Sequence, residues 1–311
     1  MIYIDFDTVH RLATVASLVE PLRRVFASSA ETPDRIKYEL AGAAKPRTML
    51  LMPSWQRGGG IGVKIATVCP ENAALQIPTV NAAYLLMSWQ TGQPRALIDG
   101  RALTLLRTAA VSALAADLLA SATPEALLMV GTGALSRYLV EGHLAARNYK
   151  SISIWGRDPH KAAAVARDLG ARGWPVRVAT NLESAARSAD VISCATLAEQ
   201  PLIQGTWLKP ACHLDLVGSF KPTMREADDD CMRGALIIVD TLAAARESGD
   251  LIGPVARGVI ASSDVRLLGE LIAPAHTTPR PAKTVFKSVG VAHADLAAAE
   301  YLYERHQLRV A

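Results

Sequence analysis

The chain has 311 residues, with 33 Lys or Arg against 29 Asp or Glu, so its formal net charge at pH 7 is +4. Hydrophobic residues make up 50% of it and charged residues 20%, a balance typical of a folded protein of about two domains. The modest charge argues against nucleic-acid binding. The chain has no uninterrupted apolar run of ~20 residues, which argues against a membrane span. Its amino terminus is acidic and mixed, which argues against a secretion signal. We therefore expect a cytoplasmic protein with no nucleic-acid or membrane partner.

The first hundred residues predict both helix and strand. Apolar side chains at helical spacing predict one helix over residues 9–30, which Asp5 or Asp7 would begin. Strands are predicted at 48–53, where Pro53 would end the strand, 62–68, 82–89 and 94–100. Three or more neighbouring antiparallel strands are therefore expected before residue 100, followed by a long Ala-rich helix over 103–120.

From residue 125 onward, short strands alternate with helices. The predicted strands are 125–130, 151–156, 175–180, 190–196, 213–219 and 235–241. This alternation is typical of a parallel, doubly wound sheet, so the predicted fold class is α/β. An amphipathic helix over 295–308 is expected to pack back on the first domain.

A glycine-rich segment, Gly131-Thr132-Gly133-Ala134-Leu135-Ser136, lies between a predicted strand and a predicted helix. It is a GxGxxS variant of the dinucleotide-binding fingerprint. The first glycine allows a tight turn, the second lets the backbone approach a pyrophosphate, and the small sixth residue permits close helix–strand packing. The sequence therefore predicts a dinucleotide site at this loop.

The next strand ends at Trp155-Gly156-Arg157, where an NAD-selective site places an acidic residue on the ribose. Asp158 follows one position later, so NADH stays possible. A guanidinium binds phosphate oxygens well, so Arg157, helped by His160 and Lys161, favours NADPH. A solvated loop arginine is the alternative.

Three cations are candidates for substrate binding. Lys64 lies inside an apolar strand, Arg107 precedes Thr108 in the Ala-rich helix, and Arg35 lies in a loop. Each one alone is more often structural. Beside a dinucleotide site, the three together predict a substrate carboxylate held by charge-assisted hydrogen bonds.

Asp215 is a candidate catalytic residue because its predicted strand, HLDLVGS, ends where doubly wound sheets bind ligands. It would hold a water or accept a proton, although a structural, hydrogen-bonded Asp is equally open. The histidines do not cluster at metal-ligand spacing, and the acidic run 228–230 predicts a solvated helix start, so no metal is expected. The four cysteines lack CxxC spacing and predict free thiols.

Several blocks in a fixed order resemble the ornithine cyclodeaminase/mu-crystallin family over nearly the whole chain. The matching segments are LLMP (50–53), GVKIATVCPEN (62–72), ALIDGRALTLLRTAAVSALAA (96–116), VGTGALS (130–136), GSFKPTMRE (218–226) and KSVGVAHADLAAAEYLY (287–303). The resemblance implies a Rossmann domain, here 119–287, and an α+β substrate and dimerisation domain built from both chain ends, here 1–118 with 288–311. It also implies a homodimer.

The resemblance also implies residue roles. Lys64 and Arg107, with Arg35, would bind the substrate carboxylate. Thr108 would lie near the cofactor phosphate, and Ser288, Val289 and Gly290 near the nicotinamide.

The family includes cyclodeaminases, alanine dehydrogenases and imine reductases. Its cyclodeaminases carry an acidic residue two places after the glycine of the GSFKPTMRE block, where this chain has Phe220. The block most resembles that of the Δ1-pyrroline-2-carboxylate/Δ1-piperideine-2-carboxylate reductases. We therefore expect NAD(P)H-dependent reduction of cyclic imino acids to L-proline or L-pipecolate, with Lys64 or Asp215 holding any proton-donating water. The alternatives are an ornithine cyclodeaminase, an alanine-dehydrogenase-type oxidoreductase and a non-catalytic crystallin-like binder.

Overall fold

A computed structural model of the protein describes residues 1–28, 30–42, 46–272 and 283–310. The chain divides into two compact units, Met1–Thr108 with Val291–Ala311, and Ala109–Gly290. Both chain ends therefore belong to the first unit. The sequence analysis set the first boundary near the end of a long helix, after residue 118, whereas the structure divides the chain inside that helix. The predicted second domain also includes residues 273–282, which lie outside the described residues.

The first unit contains a six-stranded sheet. Its strands are β1 (Ile2–Ile4), β2 (Ile36–Leu40), β3 (Arg47–Trp55), β4 (Gly60–Val68), β5 (Val80–Ser88) and β6 (Pro94–Asp99). They lie in the order β1-β6-β5-β4-β3-β2, with β1 parallel to β6 and all other neighbours antiparallel. The predicted run of antiparallel strands is confirmed; β2 extends it at one edge, and β1 adds a parallel strand at the other.

Pro53 lies inside β3 and does not end it, so that prediction was wrong. On one side of β3, β2 pairs only as far as Leu51. Trp55 donates its backbone N–H to Glu31 on that same side, 3.1 Å away. Because N–H directions alternate along a strand, the missing N–H of Pro53 also faces this side, beyond the end of β2, and no ladder bond is lost.

Two helices, α1 (Phe6–Leu12) and α2 (Val15–Phe26), replace the single helix predicted over 9–30. The break occurs at Thr14, which caps α2: its hydroxyl accepts the N–H of Ser17, and the Ser17 hydroxyl accepts the N–H of Thr14. Asp5 caps α1, as expected, by accepting the N–H of Thr8 at 2.8 Å. The chain ends in α11 (Ala292–Val310), which packs on α2, β3 and β4, so the predicted position of the terminal helix is confirmed.

The second unit is a doubly wound, all-parallel sheet, as predicted. Its strands are β7 (Ala126–Val130), β8 (Ser151–Trp155), β9 (Val176–Val178), β10 (Val191–Cys194), β11 (His213–Leu216), β12 (Leu236–Val239), β13 (Val265–Leu267) and β14 (Thr284–Lys287). Its helices are α4 (Ala134–Ala146), α5 (Pro159–Gly170), α6 (Leu182–Ser188), α7 (Asp229–Met232), α8 (Ala244–Glu247), α9 (Gly249–Ala256) and α10 (Leu268–Ile272). The order β13-β12-β14-β11-β10-β7-β8-β9 reverses direction between β7 and β10, the point where such sheets bind ligands.

Helix α3 (Gly100–Leu119) continues across the division between the units. It is long and apolar enough to cross a bilayer: an 18-residue stretch of it has a mean hydropathy of 1.5. In the structure, however, 83% of that stretch is buried. The core helix of a soluble protein passes the same test, so burial accounts for its composition. A search for uninterrupted apolar runs misses this helix because Arg107 lies inside it.

Candidate active site

The loop between β7 and α4 has the backbone of a dinucleotide-binding loop. Gly131 has a φ of +124°, and a Cβ there would lie 2.5 Å from the carbonyl oxygen of Ala195. Gly133 is the N-cap of α4, and a Cβ there would meet no described atom within 4 Å. The first glycine is therefore required by the backbone, while the second leaves open space beside the helix amino terminus. This arrangement fits a bound pyrophosphate.

The rest of the loop packs as the motif requires. Ser136 is buried within α4, Leu135 is half-buried, and Ala134 is exposed. Thr132 contacts Gly156, where a Cβ would lie 2.6 Å from the Thr132 methyl group. The structure therefore brings the glycine loop against the end of β8, and a residue larger than glycine at 156 would push them apart.

The end of β8 presents a cation. Trp155 and Gly156 are half-buried and Arg157 is exposed, with no hydrogen bond or ion pair to the described part of the chain. Asp158 accepts the N–H groups of His160 at 2.9 Å and Lys161 at 3.4 Å, so it caps α5. Oδ1 of Asp158 is thus engaged in the cap, and the exposed guanidinium of Arg157 is available to a ligand.

Asp240 holds the turn that follows β14. Its carboxylate accepts the hydroxyl of Ser288 at 2.8 Å and the N–H groups of Val289 at 3.2 Å and Gly290 at 2.7 Å. Gly290 has a φ of +82°, which favours glycine. The three residues predicted to lie near the nicotinamide are thus fixed by one buried acid.

Glu226 joins the loops after β10 and β11. One carboxylate oxygen accepts the N–H of Thr196 at 2.7 Å and its hydroxyl at 2.9 Å. The other accepts the N–H groups of Gly218 at 2.7 Å and Ser219 at 3.3 Å. Burial raises the pKa of Glu226 to about 7, against the opposing effect of the buried Lys287 ammonium.

A second buried acid supports Glu226 from α9. Asp250 accepts the backbone N–H of Glu226 at 2.7 Å and forms an ion pair with Lys287, the last residue of β14, at 3.3 Å. All three side chains are buried completely. The ends of β10, β11 and β14 are therefore connected by one network of charges.

In the first unit, Lys64 of β4 and Arg107 of α3 meet at Asp295 of α11. The Lys64 ammonium lies 2.9 Å from Oδ1 of Asp295 and 2.7 Å from Oδ2, and Nε of Arg107 donates to Oδ1 at 2.8 Å. The side chains are 3%, 5% and 0% exposed in that order, so this is a buried site with two cations and one anion.

The surroundings of Lys64 adjust its acidity. Burial and the charge of Arg107 lower the pKa of Lys64 to about 8, although Asp295 acts in the opposite direction. Arg35, which is half-buried in the loop before β2, also lowers it, so it lies within electrostatic range of Lys64. The structure therefore brings two of the predicted substrate cations, Lys64 and Arg107, together at Asp295, while Arg35 acts on Lys64 through its charge.

Tyr84 explains why the residue two places before Lys64 is glycine. On β5, Tyr84 pairs with Lys64 across the sheet, and its hydroxyl lies 1.9 Å from the position of a Cβ at Gly62. That hydroxyl is buried and has no hydrogen-bond partner among the described residues. Burial, together with the charge of Asp295, raises its pKa well above the usual value, so the phenol stays protonated.

Asp215 lies inside β11 and not beyond its end. It is fully buried and accepts hydrogen bonds from Ser193 at 2.7 Å and Ser112 at 3.1 Å, with His143 Nε2 3.1 Å away. Burial raises the pKa of Asp215, but the bond and charge of His143 and the bond from Ser193 outweigh it, and the pKa is lowered. This environment favours a structural role over the predicted catalytic one.

Two more predicted positions have clear surroundings. Thr108 is buried on α3, directly after Arg107. Phe220 is half-buried and packs on the hydrophobic core of the second unit, so an apolar ring occupies the position of the cyclodeaminase acid. The acids that hold the site, Asp295, Asp240 and Glu226, were not predicted; the available signal was an acid embedded in an apolar or glycine-containing segment.

The fold and these residues define a dinucleotide-binding protein with a separate unit that carries a buried cluster of two cations and one acid. The chain belongs to the ornithine cyclodeaminase/mu-crystallin family, whose model matches residues 4–309. It is 36% identical over 296 residues to Protein SAR DEFICIENT 4 of Arabidopsis thaliana, covering 91% of this chain and 90% of that one.

Two further relatives are Δ1-pyrroline-2-carboxylate reductases. The chain is 34% identical over 314 residues to a Δ1-pyrroline-2-carboxylate reductase of Colwellia psychrerythraea, covering 97% of this chain and 98% of the relative. Among solved structures, it matches the Thermococcus litoralis Δ1-pyrroline-2-carboxylate reductase in complex with NADH and L-proline. That match has a TM-score of 0.95 and 27% identity, and it covers 100% of this chain and 98% of the other.

Proposed function

We propose that the protein is an NAD(P)H-dependent reductase of cyclic imino acids, converting Δ1-pyrroline-2-carboxylate to L-proline and Δ1-piperideine-2-carboxylate to L-pipecolate. The observation that carries this proposal is the buried Lys64–Arg107 pair, whose two positive charges form ion pairs with one acid, Asp295, among the residues that the structure describes. A substrate carboxylate supplies the second negative charge. The reductase relatives act on substrates with such a carboxylate.

The residues of this chain have distinct tasks in the reaction. Arg107 and Lys64 bind the carboxylate and so fix the ring and its C=N bond in one orientation. The imine nitrogen takes up a proton, and the iminium is the better hydride acceptor. With a pKa of about 8, Lys64 holds an exchangeable proton near neutral pH, and a water bound to it is the proposed proton donor.

A nicotinamide cofactor, when bound, supplies the hydride that the C=N carbon receives. The glycine loop from Gly131 to Ser136 would hold its pyrophosphate, and the turn from Ser288 to Gly290 would lie beside its nicotinamide. We propose NADPH as the preferred form, because Asp158 is engaged in capping α5 while Arg157 is available to a 2′-phosphate.

Phe220 separates this proposal from ornithine cyclodeamination. A phenyl ring that packs on the core provides no carboxylate for the departing ammonia or for proton transfer. The proposed enzyme therefore consumes NADPH with an imine and releases no ammonia from ornithine.

We further propose that the protein is a cytoplasmic homodimer. The sheet of the first unit ends in β2, which is exposed along its whole length, and Ile36, Tyr38 and Ile65 present exposed apolar side chains on β2 and β4. Such an edge and face favour a second copy as partner. Light scattering of the purified protein at several concentrations tests the dimer.

The function is tested by following NADPH and NADH oxidation with each of the two imines, beside an ornithine control for ammonia. We expect imine-dependent oxidation in the wild type and a large loss of kcat/KM in Lys64→Met. The matched control is Lys150→Met, which removes an exposed lysine. No oxidation with either imine, together with ammonia from ornithine, would overturn the proposal.

A further inference from the structure

We infer that Asp295 is a positioning residue of the substrate site, which holds Lys64 and Arg107 side by side and leaves their remaining N–H groups to the substrate carboxylate. This inference rests on the proposed function. It adds a residue that the sequence motifs did not identify, on the helix that ends the chain.

The first argument is the geometry of the hydrogen bonds. Asp295 engages Nε of Arg107, at 2.8 Å, and the ammonium of Lys64, at 2.9 and 2.7 Å from its two oxygens. Nη1 and Nη2 of Arg107 have no hydrogen-bond partner among the residues that the structure describes. Those two nitrogens form the edge with which a guanidinium binds a carboxylate through two parallel bonds. Asp295 thus orients the guanidinium by the nitrogen that the substrate does not need.

The second argument is charge. Two buried cations repel each other and lose their hydration, and an acid between them offsets part of that cost. Asp295 provides one negative charge, so the cluster keeps one uncompensated positive charge, and Arg35 adds a further positive charge nearby. The site is therefore stable without substrate and still attracts an anion.

The third argument concerns the proton of Lys64. The charged groups that affect the pKa of Lys64 lie on three parts of the first unit: Asp295 on α11, Arg107 on α3 and Arg35 in the loop before β2. Tyr84 of β5, which pairs with Lys64 across the sheet, is a neutral phenol, and Glu300 of α11 acts on Tyr84. Among them, Asp295 raises the pKa of Lys64 and the two arginines lower it. Without Asp295, Lys64 loses its proton at a lower pH.

The test compares Asp295→Asn with the wild type and with Glu300→Gln, which neutralises another acid of α11. For Asp295→Asn we expect kcat/KM for the imine to fall by about 10- to 100-fold through a higher KM, as for the loss of a charged hydrogen bond. The alkaline limb of the pH profile, expected near the Lys64 pKa of about 8 in the wild type, moves to lower pH. Glu300→Gln keeps the wild-type limb.

A second measurement does not depend on activity. The ionisation of Lys64 is followed by NMR of labelled lysine side chains, with Lys64→Arg assigning the signal, and we expect its pKa to fall in Asp295→Asn. An unchanged Lys64 titration, or a loss of kcat/KM with unchanged substrate KM and pH limb, would assign Asp295 a merely structural role. If the wild type reduces no imine, the proposed function fails, while the Lys64 titration still decides the role of Asp295.

If Asp295→Asn does not fold, Asp295→Glu replaces it. This variant keeps the charge but moves the carboxylate, so we expect an alkaline limb near that of the wild type together with a raised KM. A wild-type KM in Asp295→Glu would overturn the inference.

Discussion

Asp215→Asn separates a structural acid from a catalytic one. In the folded protein, one oxygen of Asp215 accepts the hydroxyl of Ser112, and the other accepts that of Ser193 and lies beside Nε2 of His143. An amide keeps the shape of the side chain but turns one of these oxygens into a donor and removes the charge. At least one partner then loses its acceptor, and the other bonds weaken.

The expected loss follows from those bonds. A buried hydrogen bond to a charged group contributes about 1.5–3 kcal/mol, so weakening two or three of them lowers the free energy of unfolding by about 2–4 kcal/mol. For a unit of this size, that corresponds to a thermal midpoint lower by about 4–16 °C. Ser193→Ala removes one donor and is the matched, smaller perturbation, with an expected loss of about 1 kcal/mol.

The loss also depends on pH. The folded-state pKa of Asp215 is lower than its unfolded value, so the ionised carboxylate stabilises the fold above the unfolded pKa. That stabilisation disappears as the pH falls through the folded pKa, and the difference between wild type and Asp215→Asn should shrink in acid, below about pH 4.

Urea unfolding by circular dichroism measures the stability, and imine reduction at a temperature where both proteins are folded measures activity. We expect a lower midpoint and a kcat within about threefold of the wild type. An unchanged midpoint with a kcat lower by about 100-fold or more would refute the structural role and restore the predicted catalytic one.

Three further predictions concern the cofactor loops and the first sheet. Arg157→Ala should raise the KM for NADPH by about tenfold or more and leave that for NADH nearly unchanged, because only NADPH carries the 2′-phosphate; equal effects on both coenzymes would contradict this role. Burial raises the pKa of Glu226 to about 7 in the folded state, from an unperturbed 4.5. The free energy of unfolding should therefore fall as the pH rises from the unperturbed pKa to the folded one, because the folded protein resists the ionisation of Glu226. Glu226→Gln should abolish that slope in urea titrations, and a slope that persists would assign it to another group. Gly62→Ala should destabilise the first unit, because the new Cβ would lie 1.9 Å from the Tyr84 hydroxyl. Adding Tyr84→Phe to this variant should recover part of the lost stability. No recovery would place the strain elsewhere.

The second unit was predictable because its signals are local. Its predicted strands are short and mostly apolar, helices follow β7, β8, β9 and β12 within a few residues, and the glycines of the loop at 131–136 serve the backbone around them. Two strands, β13 and β14, were not predicted. Two features of the first unit were missed. Strand β2 alternates apolar and charged residues over Ile36–Leu40, but this five-residue segment was not predicted as a strand. Pro53 is tolerated in β3 because β2 pairs with that strand only as far as Leu51, which the sequence around Pro53 does not show.

The sequence singled out Lys64 and Arg107 as candidate substrate cations but not the acid between them, for a physical reason. A cation inside an apolar strand or helix stands out locally, but its partner Asp295 lies 231 positions beyond Lys64, and spacing carries no information over that distance. The position of Asp295 did hold a signal: together with Ala298 and Leu302, it lies on the buried side of α11, where an acid is unfavourable unless it is paired.

A comparison of the cations and acids inside apolar segments would have connected Asp295 with Lys64 and Arg107. Lys64 and Arg107, both inside apolar segments, require a buried acid, and Asp295 is an acid on a buried stripe of the closing helix. One acid against two cations leaves a single positive charge with nothing in the described residues to neutralise it. That imbalance cannot be a means of stabilising the fold, since a second acid would serve that purpose better. It is what a site needs to bind one carboxylate and release it again, so the uncompensated charge supports the proposal that this cluster binds the substrate.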